Sequence, residues 1–362
     1  MDAYATKAAE LFAATIIKIF FESTVAPMIT NSDYEGQIKD KATILNIPTV
    51  GGVTLKNYSG SDLTADDIEE SVGVLATDQA KAFYFKIKSY DRLVSFIKQP
   101  EGNLLDQIEG LLGETIDAYV LGLYGDVAAG NRDGTNYTTG TVEVVVTTGA
   151  VTGSGTTFTA AMVGRGFQAD GHTAWYRVKS RSSNTAIVIE DDNDDLDSAY
   201  TGGAISAGAT YVLEAATALQ VTKDTIYARV LALGAKLNGR KIPKTNRWIV
   251  VPSEIGNLIR QAPEYIAAVP DAYEQVVRNG FITKFAGFMV YENEQYTGNS
   301  TDGWHVMAGH PSAITFAMAM TESEIEPFLR GNFGKAWKGL NVYGAKVVDE
   351  RRKALAEGFW KL

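Results

Sequence analysis

The chain has 362 residues, of which 45% are hydrophobic, 10% aromatic and 21% charged. At roughly 150 residues per domain this makes two or three compact units with enough apolar material for a core, which excludes a wholly disordered chain. There is no cysteine, so disulfide scaffolds, Cys-ligated zinc, iron–sulfur clusters and thiol catalysis are excluded; the 43 acidic and 33 basic residues give a net charge of −10, unsuited to a chain whose main task is gripping a phosphate backbone.

The first thirty residues read as a helix or amphipathic arm. Asp2 stands at a capping position, Leu11, Phe12, Thr15, Ile16 and Ile19 recur at helical spacing, and Pro27 is the expected terminator. The apolar stretch Ala8–Ile29 carries Glu10, Lys18 and Glu22. That is too much charge for a span of about 20 apolar residues, and no basic region precedes it as in a signal peptide; a soluble protein, intracellular at synthesis, is expected. A polar link, Asn31–Gly36, follows. From Ala42 the texture is that of strands: Thr43–Val50, a hairpin signal at Gly51 and Gly52, Val53–Tyr58, a polar tip Ser59–Asp67, and a return through Ala82–Lys88. An excursion of this kind holds little core of its own, and isolated hairpins are marginal, so residues 42–88 are expected to need a neighbour to lie on.

After Pro100 the residues Leu105, Ile108, Leu112, Ile116, Tyr119 and Leu123 step by three or four, an apolar helical stripe roughly 27 Å long at 1.5 Å per residue. Gly125 and Ala128–Gly134 end it. Residues 134–215 change character: 11 Gly and 14 Thr, no proline, and nine acidic against four basic residues. Alternating segments at Thr141–Thr147, Trp175–Lys179, Thr185–Ile189 and Thr210–Leu213, separated by turn signals, predict a small β sandwich or barrel inserted as a separate module. Helix returns over 222–238 with Ile226, Val230, Leu233 and Leu237 on one face. Asn246–Pro252 reads as a buried strand with Ser253 able to cap the next helix, and Gly339–Val348 as a long strand or strand pair. The expected fold class is α+β with an all-β insert.

Sites of chemistry are sparse. The acidic run Glu190–Asp197 lacks the sixth-position glycine and closing glutamate of a calcium-binding EF-hand loop and is expected to be solvated. Gly153–Gly155 and Gly164–Gly166 lack the third glycine, the lysine and the strand–helix setting of a phosphate cradle and read as β-turns. The three histidines are His172, His305 and His310; His305 and His310 flank Gly309 but have no cysteine to complete a zinc site, and no Gly-x-Ser-x-Gly elbow is present. Arg351–Lys353 is read as a solvated patch or as ion-paired with Asp349, Glu350 or Glu357, and Phe359 and Trp360 as an aromatic end that docks on a core or a partner. No enzyme activity, cofactor or metal is expected. The chain instead holds parts suited to contact between subunits.

Five segments resemble, in order, the major capsid proteins of tailed bacteriophages with the HK97 fold. They are Val25–Lys39 (VAPMITNSDYEGQIK) leading to Ile44–Pro48; Asp78–Ile87 (DQAKAFYFKI), similar to the return side of that family's elongated loop; Pro243–Ser253 (PKTNRWIVVPS), similar to its Pro…Arg-x-x-Val-x-Pro segment; Phe285–Tyr291 (FAGFMVY); and His310–Ala317 with Leu340–Lys346. The resemblance implies an HK97-like capsid fold: an N-terminal arm at 1–41, an elongated loop at 42–90, a peripheral domain at 91–133 with its spine helix at 101–126, the inserted β domain at 134–215, an axial domain at 216–310, and a return to the peripheral domain at 311–362. It implies hexamers and pentamers of an icosahedral shell around double-stranded DNA, with the virion as location and the host cytoplasm as the place of assembly. Implied partners are further copies of the chain, scaffolding, portal and decoration proteins, and packaged DNA held without sequence-specific contacts. The residues expected at subunit contacts, in the arm and loop tip, are Asp33, Tyr34, Glu35, Tyr58, Asp62, Asp66 and Asp67. The insert departs from the minimal fold. No long helical scaffold-like extension precedes the arm, which implies a separate scaffolding protein or a removed leader. A tail or fibre protein of a phage virion, favoured by the β insert, and an encapsulin-like compartment shell stay open as alternatives.

Overall fold

The computed structural model describes residues 24–31, 44–50, 70–88, 100–192, 198–268, 284–326 and 333–362. They form a mixed α+β chain, rich in strand, that divides into two compact units. One comprises residues 1–23, 31–110 and 315–350; the other comprises 24–30, 111–314 and 351–362. The helix expected after Pro100 runs Pro100–Leu121 and continues as a 3-10 turn, Gly122–Asp126. Leu112, Ile116 and Val120 are buried, Tyr119 is half-buried, and Leu123 of the expected stripe falls in the 3-10 turn.

In the first unit, strand Ile44–Val50 pairs antiparallel with Glu70–Ala76, from Ile44 opposite Ala76 to Val50 opposite Glu70. Strand Gln79–Lys88 pairs antiparallel with Gly334–Val347, from Gln79 opposite Tyr343 to Lys88 opposite Gly334, and Ile314–Glu326 flanks the pair's other side. This corrects the reading of 42–88 as an excursion unsupported by its own chain. Ile47 and Leu75, both fully buried, pack with Ala317 and Val348, and the return strand is locked into a ten-residue ladder. The expected strand Val53–Tyr58, its hairpin signal and the tip Ser59–Asp67 lie outside the described residues, as does the helix expected before Ser23.

The second unit holds two eight-stranded sheets. The central one runs Leu219–Gln220, Leu355–Lys361, Gly303–Gly309, Trp248–Val251, Phe288–Glu292, Lys284–Phe285 in spatial order, with Arg132–Asp133 and Gly298–Asn299 at its side. Trp248–Val251 and Phe288–Glu292 are parallel, which requires a crossover, and helices Ser253–Gln261 and Pro263–Ala268 lie between them in sequence. Helix Ile226–Gly239 presents Ile226, Val230, Leu233 and Leu237, all fully buried, to the core formed with Ile249, Val251, Phe288, Val306 and Trp360. The arginine of the PKTNRWIVVPS segment has a local task. Arg247 donates to the carbonyls of Pro243 (2.8 Å) and Ile242 (2.7 Å) and to Asn238 Oδ1 (2.9 Å), tying off the turn that follows that helix.

Three local expectations are corrected. Pro27 sits in the first turn of a short helix, Ala26–Ile29, where its missing amide is harmless; the amides of Val25 and Ala26 instead donate to Asp117 (3.2 and 2.9 Å). Ser253 is the first helical residue after Pro252 and makes no side-chain cap; its amide donates to Glu294. The end of the chain does not stay with 311–350: Leu355–Lys361 joins the central sheet, pairing with Gly303–Gly309.

The other sheet spans residues 135–217, the stretch whose sequence reads as an insert. Its order is Ile205–Ala209, Thr141–Val144, Ala150–Ser154, Ala186–Asp191, Tyr176–Ser183, Gly166–Ala169, Tyr211–Thr217, Thr135–Tyr137. Ile205–Ala209 and Tyr211–Thr217 are separated by Thr210 alone yet lie near opposite ends of that order, so the sheet curls into a barrel. Val142, Val144, Val151, Phe167, Val178, Ile187, Ile189, Tyr211 and Leu213 fill it, the alternating inward face the sequence predicts.

Candidate functional site

The arm and loop-tip residues expected at subunit contacts (Asp33, Tyr34, Glu35, Tyr58, Asp62, Asp66 and Asp67) all lie outside the described residues. What the first unit does describe is the strand Gln79–Lys88 and its partners. Along the Gln79–Lys88 strand, Phe83 and Phe85 share a face with Trp337, with ring centroids 6.3 Å apart for Phe83–Phe85 and 5.3 Å for Phe85–Trp337. Tyr84, 61% exposed, points to the other face opposite Lys338, which pairs with Glu324 (2.7 Å) and Glu326 (3.2 Å). Gly344 lets the Ala76–Thr77 turn cross it: a Cβ there would lie 2.2 Å from the Ala76 carbonyl oxygen.

A charge cluster of the second unit joins residues that lie far apart in the sequence. Glu357, fully buried in the central sheet, accepts from Arg132 Nε (2.9 Å), Arg165 Nη1 (2.8 and 2.9 Å to its two oxygens) and His305 Nδ1 (2.6 Å). Its backbone amide donates to the Asn131 carbonyl. Glu214 accepts from Arg132 Nη1 (3.2 Å) and from the Gly130 amide (2.8 Å). The short contact to Glu357 places the His305 proton on Nδ1. The imidazole lies between Tyr124 and Phe359, with centroids at 4.0 and 4.3 Å. Burial pushes the Glu357 carboxyl up, but Arg165, the His305 hydrogen bond and Arg132 outweigh it and hold it at about 2. Nearby, burial raises the Asp133 carboxyl although Trp360 Nε1 donates to it at 2.9 Å.

A half-open cleft of ≈ 440 Å³ lies over this cluster, lined by Tyr124, Arg132, Val163, Arg165, His305 and Phe359 among others. Its lining contains no hydroxyl other than the Tyr124 phenol and no thiol. Both Glu357 oxygens are taken by cations. The cluster is built as a seam between elements, with no nucleophile and base placed around a reacting atom.

Other sequence candidates resolve as follows. Gly153–Gly155 and Gly164–Gly166 are turns, with Gly155 and Gly164 at φ 69° and 82°. The second glycine of the Gly-Arg-Gly turn is there for the seam, since a Cβ on Gly166 would lie 2.2 Å from Glu214 Oε1. The acidic run is not wholly solvated. Glu190 is buried against Arg177 (2.8 Å), Asp191 accepts from Thr201, and Asp192 accepts from the Ala129 amide (2.6 Å) and Arg352 (2.6 Å); residues 193–197 lie outside the described set. Arg352 is therefore not a solvated cation. It is buried and also donates to the Asp126 carbonyl. Trp360 is fully buried, docking the aromatic end on its own core. His310 accepts from the Ser312 amide through Nδ1, and His172 contacts the Tyr200 hydroxyl. Among the described residues no group of His, Cys, Asp and Glu is able to hold a metal ion, and no helix is long and apolar enough to cross a membrane.

No protein-family model and no curated protein sequence matches the chain. Solved structures do. A chain of Mycobacterium phage Che8 is 18% identical and superposes with a TM-score of 0.56, covering 92% of this chain and 90% of that one. The capsid structure of the cyanophage P-SCSP1u is 12% identical with a TM-score of 0.50, covering 91% of this chain and 84% of that one. At such identities the likeness is one of fold. The polypeptide has the fold of a phage capsid chain.

Proposed function

We propose that this chain is the major capsid protein of a tailed bacteriophage with an HK97-like fold, and that its copies form the hexamers and pentamers of an icosahedral shell around double-stranded DNA. The observation that carries the reading is the chain-long likeness of fold to the Che8 chain and the cyanophage capsid, about nine tenths of this chain in each case. In this reading residues 1–41 are the arm, 42–90 the elongated loop, 134–215 an inserted domain, and Asp33, Tyr34, Glu35, Tyr58, Asp62, Asp66 and Asp67 meet the neighbouring copy. The chain acts in the virion, assembles in the host cytoplasm, works with scaffolding, portal and decoration proteins, and catalyses nothing.

The work is mechanical. The loop base is ordered by its own chain through the ladder to Gly334–Val347, so the neighbour has only the outer part, residues 51–69, to hold. Individual contacts between copies stay weak because translational and side-chain entropy offset most of the gross gain, and closure of the shell makes the many contacts cooperative. Weak contacts also let wrong additions dissociate. A wall with a net charge of −10 per copy repels DNA only within roughly 8 Å at physiological salt, which leaves the packaged genome mobile.

Negative-stain microscopy of the expressed chain tests the reading: closed polyhedral shells are expected, and tubes, stacked rings or only small particles contradict it. Deletion of residues 59–67 is expected to leave a soluble folded subunit that sediments without forming stable shells. Particles of parental size and stability from that variant contradict the loop assignment.

A further inference from the structure

The chain enters and leaves the barrel at one point. Thr135 lies opposite Thr217 in the sheet, and a Cβ placed on Gly134 would sit 2.9 Å from the Ala215 Cα. Two adjacent connections make a hinge, about which a module could swing. The barrel and the central sheet also have separate apolar clusters, and none of the buried residues filling the barrel belongs to the core around Leu233 and Trp360. Apolar contact is non-directional, so it supplies little here to fix an angle.

The seam between them is charged and directional. Three side chains from three places in the barrel reach three places on the core. Arg165, just before strand Gly166–Ala169, meets Glu357 at 2.8 Å; Asp192, just after Ala186–Asp191, meets Arg352 at 2.6 Å and the Ala129 amide at 2.6 Å; Glu214, within Tyr211–Thr217, meets Arg132 at 3.2 Å and the Gly130 amide at 2.8 Å. The four carboxylate-paired groups Arg132, Arg165, Glu214 and Glu357 are at most 9% exposed in their side chains. The Arg165 and Glu214 contacts join through Arg132, whose Nε meets Glu357 at 2.9 Å, and with the Asp192 contact they tie the barrel to the core beyond the two chain connections, which alone define only an axis. Charge-assisted hydrogen bonds hold distance and angle together, and a buried ion pair adds little net stability over an apolar replacement, whereas removing one partner leaves a costly uncompensated charge.

We infer that this seam is an orientation lock: the Arg165–Glu357, Arg132–Glu214 and Asp192–Arg352 pairs hold the inserted barrel at one fixed attitude on the core, so that the barrel is carried as a rigid part of the subunit and not as a tethered appendage. Any surface it presents is then displayed at the same angle by every copy.

The test is a distance distribution between the two parts. The chain has no cysteine, so Thr152→Cys on an exposed barrel position and Leu231→Cys on the exposed side of helix Ile226–Gly239 take nitroxide labels at those positions alone. Pulsed electron–electron resonance on the labelled full chain is expected to give one narrow peak. The matched variant Arg165→Met with Glu357→Gln removes one positive and one negative charge and leaves the Arg132–Glu214 pair intact. It is expected to keep the far-ultraviolet dichroism of the parent, to unfold at no lower urea concentration than Glu357→Gln alone, and to broaden the peak; adding Asp192→Asn is expected to broaden it further. A broad distribution in the parent, an unchanged narrow peak in both variants, or failure of the matched variant to fold each overturns the inference.

Discussion

Replacing Glu357 by glutamine isolates the electrostatics of the seam, because the amide keeps the shape and removes the charge. In the folded chain the Glu357 carboxyl is held at about 2 against an ordinary 4.5. Each pH unit of that difference is worth about 1.4 kcal/mol, so the ionised carboxylate favours the folded state by roughly 3 kcal/mol. The sign follows from the depression: the contribution is fully present above about pH 4.5, where both states are ionised, and is lost as pH falls toward 2, where the folded state too takes up the proton. Urea unfolding of parent and Glu357→Gln, followed by tryptophan fluorescence at a series of pH values, is therefore expected to show a gap of about 3 kcal/mol at pH 7 that closes between about pH 4.5 and pH 2. The variant also leaves Arg132 and Arg165 buried beside a neutral group, which acts in the same direction. A gap that stays constant across that range, or a variant as stable as the parent at neutral pH, refutes the reasoning.

Other outcomes follow from packing and backbone geometry. Leu233→Ala empties a fully buried position of the central core and is expected to cost about 2–5 kcal/mol in urea unfolding; a loss under about 1 kcal/mol contradicts the packing. Gly149 has φ 61° and a Cβ there would lie 2.1 Å from the Ile189 carbonyl oxygen, so Gly149→Ala is expected to cost about 1–3 kcal/mol in the barrel's thermal transition. Excision of 136–214, joining Thr135 to Ala215, is expected to leave a core that keeps its helical dichroism, since the barrel's apolar cluster is its own and the severed ends already lie together. Loss of the helical signal would make the insert integral to folding.

The elements that were legible are those whose burial repeats locally. Ile226, Val230, Leu233 and Leu237 announce a helix face by spacing, Trp248–Val251 a doubly buried strand by its unbroken apolar run, and the barrel strands an inward face by alternation. Glu70–Ala76 carries no clear strand signal: Gly73 interrupts it, and its partner lies at a distance in sequence, at Ile44–Val50. Pro27 reads equally as a stop or a start, because proline is allowed both after a helix and in its first turn, and the sequence alone does not choose. The seam was illegible for a different reason. Arg132, Arg165, Glu214, His305 and Glu357 are far apart in the chain, and each stands among ordinary neighbours. Only the Gly-Arg-Gly turn carried a local mark, and its second glycine has meaning only once Glu214 is seen beside it. Arg352 shows the same limit. A charge in a basic triplet looks solvated until the carbonyl of Asp126 and the carboxylate of Asp192 close over it.

The most direct measurement is a cryo-electron microscopic reconstruction of the particles formed by the expressed chain. The account predicts a closed icosahedral wall of six-fold and five-fold capsomers, with residues 51–69 of each copy lying against the next copy and the base of the loop laddered to Gly334–Val347 of its own. Particles without six-fold and five-fold capsomers, or a loop whose outer residues touch only their own chain, would contradict it.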